Sequence, residues 1–457
     1  MTKPAISVIT CTYKRPEWLG RAVASILAQT LENWELIIVN DGDVPVNLPD
    51  GAMRGAKLDP RIKIISQGHQ GQPMAVNTGI RAATADLITF LDDDDTAQPV
   101  NLALKVEAMK DPGVDMAYFP AMAVPGDLCG HHAWTEKNLL AGLCIPNLCL
   151  VTRKGIFDQL GYHDERCPVY WDWDWQLRAF CAGFNAKFVD HAPVGEYYIH
   201  NTSVVRTKSN KTFHKALKER ATGKRTNELT LVVPSYNYPQ YLPRLIEGMF
   251  KQTCPNWRLI IVDDASPDPE LKAILRDLQG RYEHIIIKMN RKNRGSCATL
   301  AQGFKMVETA YCAAIDADNF LMPDYVIRMI DYLDSHPDRV GAHCAFARHV
   351  DMLPVGTIGK SPITYKNSLN QPPGTMLAAW RTEVALRALP EFELCPDWDM
   401  MLRGLEQGPV GYIKEPLVGW EDHRASRWWW DLDKSNACSD ACLQAAIERR
   451  AHVSNTG

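Results

Sequence analysis

Runs that are predominantly apolar, without strict alternation, alternate along this chain with segments whose apolar residues return at helical spacing. "ISVIT" from Ile6, "ELIIV" from Glu35, "IKII" from Ile62 and "LITFL" from Leu87 are such runs. A strand with one wet face alternates apolar and polar positions, whereas a strand covered by helices on both faces does not. Between the first two runs, Trp18, Leu19, Ala22, Val23, Ile26 and Leu27 mark one face of a helix with Pro16 near its start. The pattern predicts an α/β fold, a mostly parallel sheet with helices on both faces, whose ligands gather beyond the carboxyl ends of the strands.

The pattern then recurs. "ISVITCTYKRPEWL" from Ile6 lies without a gap on "LTLVVPSYNYPQYL" from Leu229, and "WELIIVNDG" lies on "WRLIIVDDA" at the same offset of 223. With small adjustments Asp92 pairs with Asp316, the "DWD" at Asp172 with that at Asp397, and His200 with His423. At 457 residues the chain is too long for one ordinary core. The expectation is a tandem duplication: one domain over residues 1–205, a basic linker over 206–228, and a second domain over 229–457.

Composition narrows the function classes. A net charge of -4 excludes a global basic field of the kind that holds a protein on nucleic acid. Contact with such a partner would be local, through the linker or "RASRWWW" from Arg424, and aromatic packing is the simpler reading of the latter. No apolar run approaches the roughly 20 residues that span a bilayer, so any work at a membrane would be peripheral. The start enters a strand-like run at once, without an apolar signal core. The 13 cysteines, odd in number and scattered through apolar segments, read as buried free thiols, and the expected compartment is the cytoplasm. "CSDAC" lacks a second pair at zinc spacing. No G-x-G-x-x-G follows either first strand, and "PVGTIGKS" lacks the first glycine of a P-loop at the required spacing.

The strand ends carry the chemistry. Thr12 and Tyr13 follow the first strand of copy one, and Ser235 and Tyr236 follow that of copy two. Asp41, Asp263 and Asp264 follow the second strands. With the residues after the first strands they are candidate nucleotide contacts, Asp41 and Asp264 being matched acids suited to a nucleobase imide or a ribose hydroxyl. A single Asp there can also simply cap a turn. After the fourth strands come "DDDD" and "DADN". Carboxylates this crowded repel unless a cation sits among them, and oxygen clusters suit Mg²⁺ or Mn²⁺. Asp92 and Asp94, with Asp316 and Asp318, are the expected ligands, able to steady a diphosphate leaving group. Asn319 in place of Asp95, and Ala301 in place of Asn77, predict a thinner metal shell in copy two. The "DWD" acids Asp172 and Asp397 open a helix, where an Asp serves as a cap or as a base for an acceptor hydroxyl.

Together these segments resemble the family 2 glycosyltransferases with the nucleotide-diphosphosugar-binding fold. The resemblance covers both copies: "VITCTYKRP" and "VVPSYNYP", "IIVND" and "IIVDD", the approach to "DDDD", the "DWDWQLR" and "DWDMMLR" helices, and the late "YYIHNTS" and "WEDHRAS". It implies inverting, metal-dependent transfer from a nucleotide diphosphosugar, a UDP-sugar being the expected donor, to a glycan or other hydroxyl acceptor. It also implies that Asp172 and Asp397 stand at the catalytic base and that His200 and His423 contact the metal or the diphosphate. Two such domains resemble bifunctional enzymes that alternate two donors. The alternatives are one active domain with a structural or acceptor-binding copy, glycosylation of a modified DNA base, and a non-catalytic sugar-nucleotide or glycan binder.

Overall fold

The computed structural model describes residues 3–54, 57–199, 211–350, 353–358, 362–364, 368, 378–391, 396–421 and 441–449. The chain divides into two compact units, Met1–Lys224 and Arg225–Gly457. Among the described residues, no helix is long and apolar enough to cross a membrane.

In the first unit the apolar runs become the strands Ile6–Thr12, Trp34–Asn40, Ile62–Ser66 and Leu87–Phe90, all parallel where they pair. Leu150–Arg153 then enters antiparallel between Leu87–Phe90 and Met116–Tyr118, and Ala186–Phe188 closes a seven-stranded mixed sheet. The helix Pro16–Leu27 buries Leu19, Ala22, Val23 and Ile26, as its periodicity predicts, while Trp18 stays at the surface beneath Arg21. The helix Gln72–Ala82 lies so close to the first strand that a Cβ at Gly79 would stand 2.4 Å from Ile9 Cγ2. Gly303 does the same in the second unit, 2.3 Å from Val232 Cγ1. Only glycine admits this approach in either unit.

The second unit repeats the order Ile285–Met289, Trp257–Asp263, Leu229–Ser235, Tyr311–Ala314, Ala378–Arg381. It differs at the far side. In the first unit Met116–Tyr118 and Ala121–Val124 belong to separate sheets, with Pro120, which has no N–H to donate, at the break. In the second unit a single strand, Gly341–Val350, runs beside Val410–Glu421 and changes register around Ala345. Among the described residues, bulging keeps in one sheet what the first unit divides at Pro120. The P-loop-like run supplies the strand Leu353–Ile358, paired with Gly341–Val350.

The basic stretch expected to be a linker contains a helix of the first unit, Lys211–Ala221, which buries Phe213, Ala216 and Leu217. Its counterpart in the second unit is helical over residues 441–449, with Cys442 and Ala446 buried. "ALKER" from Ala216 aligns with "AAIER" from Ala445, so the duplication extends through this closing helix.

Candidate active site

Strand pairing brings the candidate residues to one rim in each unit. Asp41 N–H donates to Thr12 O at 2.9 Å, and Asp264 N–H donates to Ser235 O at 2.9 Å. The Asp41 carboxylate accepts from Gln67 Nε2 and Gln70 N on one oxygen, and from His69 Nδ1 and Gly71 N on the other, all within 2.9 Å. Asp264 repeats this with Asn290 Nδ2, Arg294 N and Gly295 N. Gly71 and Gly295, at φ 93° and 87°, turn their N–H groups to the acid as the following helix begins. These two acids thus hold the loops that enter the helices Gln72–Ala82 and Ser296–Phe304. Asp263 is the turn-capping case: it is buried and accepts from Ser266 N and Oγ. Tyr13 and Tyr236 remain exposed on the rim, and Tyr13 stacks on His69 with centroids 3.9 Å apart. A shallow, open depression lies here, lined by Thr12, Lys14, Arg15, Asn40 and Val44 among others.

The four carboxylates after Phe90 have four different environments. Asp92 accepts from Gln72 Nε2 at 3.3 Å and Asn147 Nδ2 at 3.4 Å; burial, then Asp94 and Asp93, raise it to about 7. Asp93 takes the Thr12 hydroxyl at 2.7 Å, and burial lifts it to about 6 against Arg15. Asp94 pairs with Arg15 at 3.0 Å. Asp95 Oδ1 accepts from Tyr198 N at 2.9 Å, while its Oδ2 is buried with no hydrogen-bond partner. Burial and Asp92 hold this carboxyl well above the usual range. In the second unit Asn319 Oδ1 accepts from Glu421 N at 3.3 Å, at the same place in the fold. Position 95/319 therefore ties the last strand to the acidic turn, and an amide oxygen serves as well as an acid. Asn77 likewise grips His163 through O and N, so Ala301 removes a loop tie rather than a metal contact.

A cation would relieve this crowding, and the carboxylate oxygens of Asp92 and Asp94, which repel each other, are the donor type that Mg²⁺ or Mn²⁺ takes. Among the described residues no three His, Cys, Asp or Glu side chains form a complete metal-holding group. His200, His423 and "RASRWWW" lie outside the described residues.

Asp172 stands at the second position of the helix Trp171–Cys181, whose N-cap is Tyr170 in the left-handed region. It is therefore not the cap. Its carboxylate accepts from Trp173 N at 2.8 Å and from Cys144 Sγ at 4.0 Å, and burial raises it above the usual carboxylate range. Asp397 holds the same position in Pro396–Gln407 and is raised by burial in the same way. Asp172 adds to the field on Asp92, and Asp397 adds to that on Asp316, which burial and Asp318 also raise. In both units the first acid of the "DWD" helix is thus near enough to act electrostatically on the first acid of the strand-end run. The second acids do other work. Asp174 and Asp399 are fully buried and paired with Arg178 and Arg403, each at 2.9 Å.

Sequence reasoning missed Arg15, Asn147, Tyr197 and Arg220. Tyr197 is pushed up by burial, then by Asp92, Asp95 and Asp172, and Trp420 replaces it in the second copy. Only the repeat alignment hinted at Arg220, through "ALKER" and "AAIER".

Residues 7–129 and 230–359 match the sequence profile of glycosyl transferase family 2. A putative glycosyltransferase EpsH of Bacillus subtilis is 39% identical over 99 residues, 22% of this chain and 28% of EpsH. An uncharacterized glycosyltransferase of Rickettsia felis is 23% identical over 400 residues, 73% of this chain and 64% of that protein. The chain thus spans less than two thirds of either relative. Among solved structures, S. aureus TarS 1-349 in complex with UDP-GlcNAc aligns with a TM-score of 0.37 at 16% identity, over 43% of this chain and 59% of that one. The mannosyltransferase PcManGT from Pyrobaculum calidifontis, in complex with GDP-Man and Mn²⁺, aligns with a TM-score of 0.38 at 16% identity, over 49% and 65%.

Proposed function

The chain belongs to glycosyl transferase family 2, and from that premise we propose that each unit moves a sugar from a nucleoside diphosphosugar, a UDP-sugar first, to a glycan hydroxyl with inversion. The observation that carries this reading is the electrostatic reach of Asp172 to Asp92, repeated by that of Asp397 to Asp316, with all four carboxyls raised by burial.

Thr12, Tyr13 and the loop held by Asp41 would border the nucleotide, as Ser235, Tyr236 and the loop held by Asp264 would in the second unit. Asp92 and Asp94, and likewise Asp316 and Asp318, would hold a divalent cation, which when bound neutralises the departing diphosphate. Asp172 accepts the acceptor hydroxyl's proton as its oxygen bonds to the anomeric carbon and the bond from that carbon to phosphate breaks. A carboxylate raised by burial is a stronger base than an exposed one.

A second reading, with catalysis in the first unit alone, draws on one difference: Ala317 replaces Asp93, and the buried Ser235 hydroxyl lacks the acid that Thr12 meets.

The test is a pair of variants, Asp172→Asn and Asp397→Asn, assayed with a panel of donors and acceptors for nucleoside diphosphate release and product mass. Each variant is expected to lose one sugar addition by about 10²-fold or more while still binding donor. Near-normal turnover in both would return the two acids to a structural role. Loss of every transfer in Asp172→Asn, with none in Asp397→Asn, would leave one catalytic unit. EDTA is expected to abolish both additions, and Mn²⁺ to restore them.

A further inference from the structure

We propose that the closing helix of each unit belongs to its active site, with Arg220 as the positioning residue for Asp172 and Arg449 for Asp397. The proposal rests on the reading of these two acids as bases.

Three residues around Asp172 are held by the single helix Lys211–Ala221. Tyr170, whose backbone sits in the left-handed region, packs on Phe213 and His214 at 6.5 and 5.6 Å between ring centroids. Trp173 stacks on His214 at 4.1 Å and 17°. Asp174 takes Arg220 Nη2 at 2.5 Å beside its own-helix partner Arg178. Arg220 Nη1 continues to Asp164 at 2.6 Å, which Arg166 also pairs at 2.9 Å. Burial opposes charge on Asp164 and Asp174, but the arginines prevail and hold both carboxyls below their usual range. Positions 170, 173 and 174, which flank residue 172 in sequence, are thus each contacted by the closing helix.

The arrangement recurs where the sequence has diverged. Asp399 is fully buried, pairs with Arg403, and has Arg449 Nη2 at 3.6 Å, while Arg449 Nε reaches Glu406 at 3.1 Å. A stabilising surface helix would not need to end on the same acid in both copies. Holding a base to within a fraction of an ångström does require it, since a misplacement of about 1 Å can cost about 10²-fold in rate.

The experiment uses the full chain carrying Asp397→Asn, so that the first unit is read alone, with UDP-GlcNAc, UDP-glucose and GDP-mannose as donors. Arg220→Met is expected to lower kcat by about 10²-fold with the donor KM within about twofold, and Arg220→Lys to recover part of the loss. His214→Ala, which leaves the ion network in place, is expected to lower kcat by about tenfold at unchanged donor KM. Wild-type kcat in Arg220→Met and His214→Ala, while Asp172→Asn is inactive, overturns the proposal. A loss that follows only the folded fraction, with normal turnover per folded molecule, also overturns it. If Arg220→Met does not fold, His214→Ala and Arg220→Lys decide by the same readouts. Activity in Asp172→Asn would instead sink the assignment of the base.

Discussion

At the scale of single residues, the same bond is made with different chemistry in the two copies. Asp95 and Asn319 each accept from a backbone N–H of the last strand, and only one of them is an acid. Asp95→Asn is therefore expected to leave stability within about 0.5 kcal/mol and turnover within about twofold. Asp95→Ala should cost about 1–3 kcal/mol by orphaning the Tyr198 N–H, as urea unfolding would measure. His163 presents a titration with a clear sign. It sits among Phe90, Phe157, Trp171 and Trp175, and burial, then Arg178, lower it from 6.5 to about 3. Above the unfolded value both states are neutral and no linkage exists. Between the two values the unfolded chain binds a proton that the folded chain refuses, so stability falls with pH, by at most about 1.4 kcal/mol per pH unit. Unfolding midpoints of wild type and His163→Phe, followed from pH 7 to 4, are expected to diverge, with the variant falling less steeply.

At the scale of elements, close approach of the helices Gln72–Ala82 and Ser296–Phe304 to the first strand of their units sets how each sheet is covered. Gly79→Ala would drive a Cβ into Ile9, and Gly303→Ala would drive one into Val232. Each is expected to destabilise its own unit by about 1–3 kcal/mol, because a packed core yields little to an added methyl. Differential scanning calorimetry of the two variants tests this, and an unchanged profile in either would mean the helix can shift outward. The second acids of the "DWD" helices belong to the same scale. Removing Arg220 would leave Asp164 and Asp174 buried side by side with fewer cations, and breaking a buried pair in this way typically costs about 3–5 kcal/mol.

At the scale of the whole molecule, each unit ends later than its strands do. Residues 1–224 form a compact unit that includes Arg220 and His214, so this fragment is expected to unfold in one cooperative transition. A fragment stopping at residue 205 would uncover Tyr170 and Trp173 and lose the guanidinium on Asp174. It is expected to melt lower by several degrees and to bind a hydrophobic dye. Equal melting of the two fragments, measured by circular dichroism, would count against the closing helix as part of the fold.

The duplication, the parallel strands and the acids at their ends were legible in the sequence because each depends on local order: strand burial on consecutive apolar residues, helix faces on a short period, and strand-end position on adjacency. What the sequence left open was decided by contacts between residues far apart. Asp41, Asp92, Asp172 and Asp263 are one residue type, yet Asp41 and Asp263 are tied up by short bonds from loop donors, while Asp92 and Asp172 are raised by burial. Asn77 pointed toward the metal shell on paper and grips His163 in the fold. The basic stretch read as a linker because lysines and arginines dominate it, whereas Phe213, Leu217 and Arg220 find partners only once the "DWD" helix is packed. Sequence order sets which carboxylates reach the rim; tertiary packing sets which of their lone pairs remain free, because hydrogen bonds and burial are properties of neighbours in space.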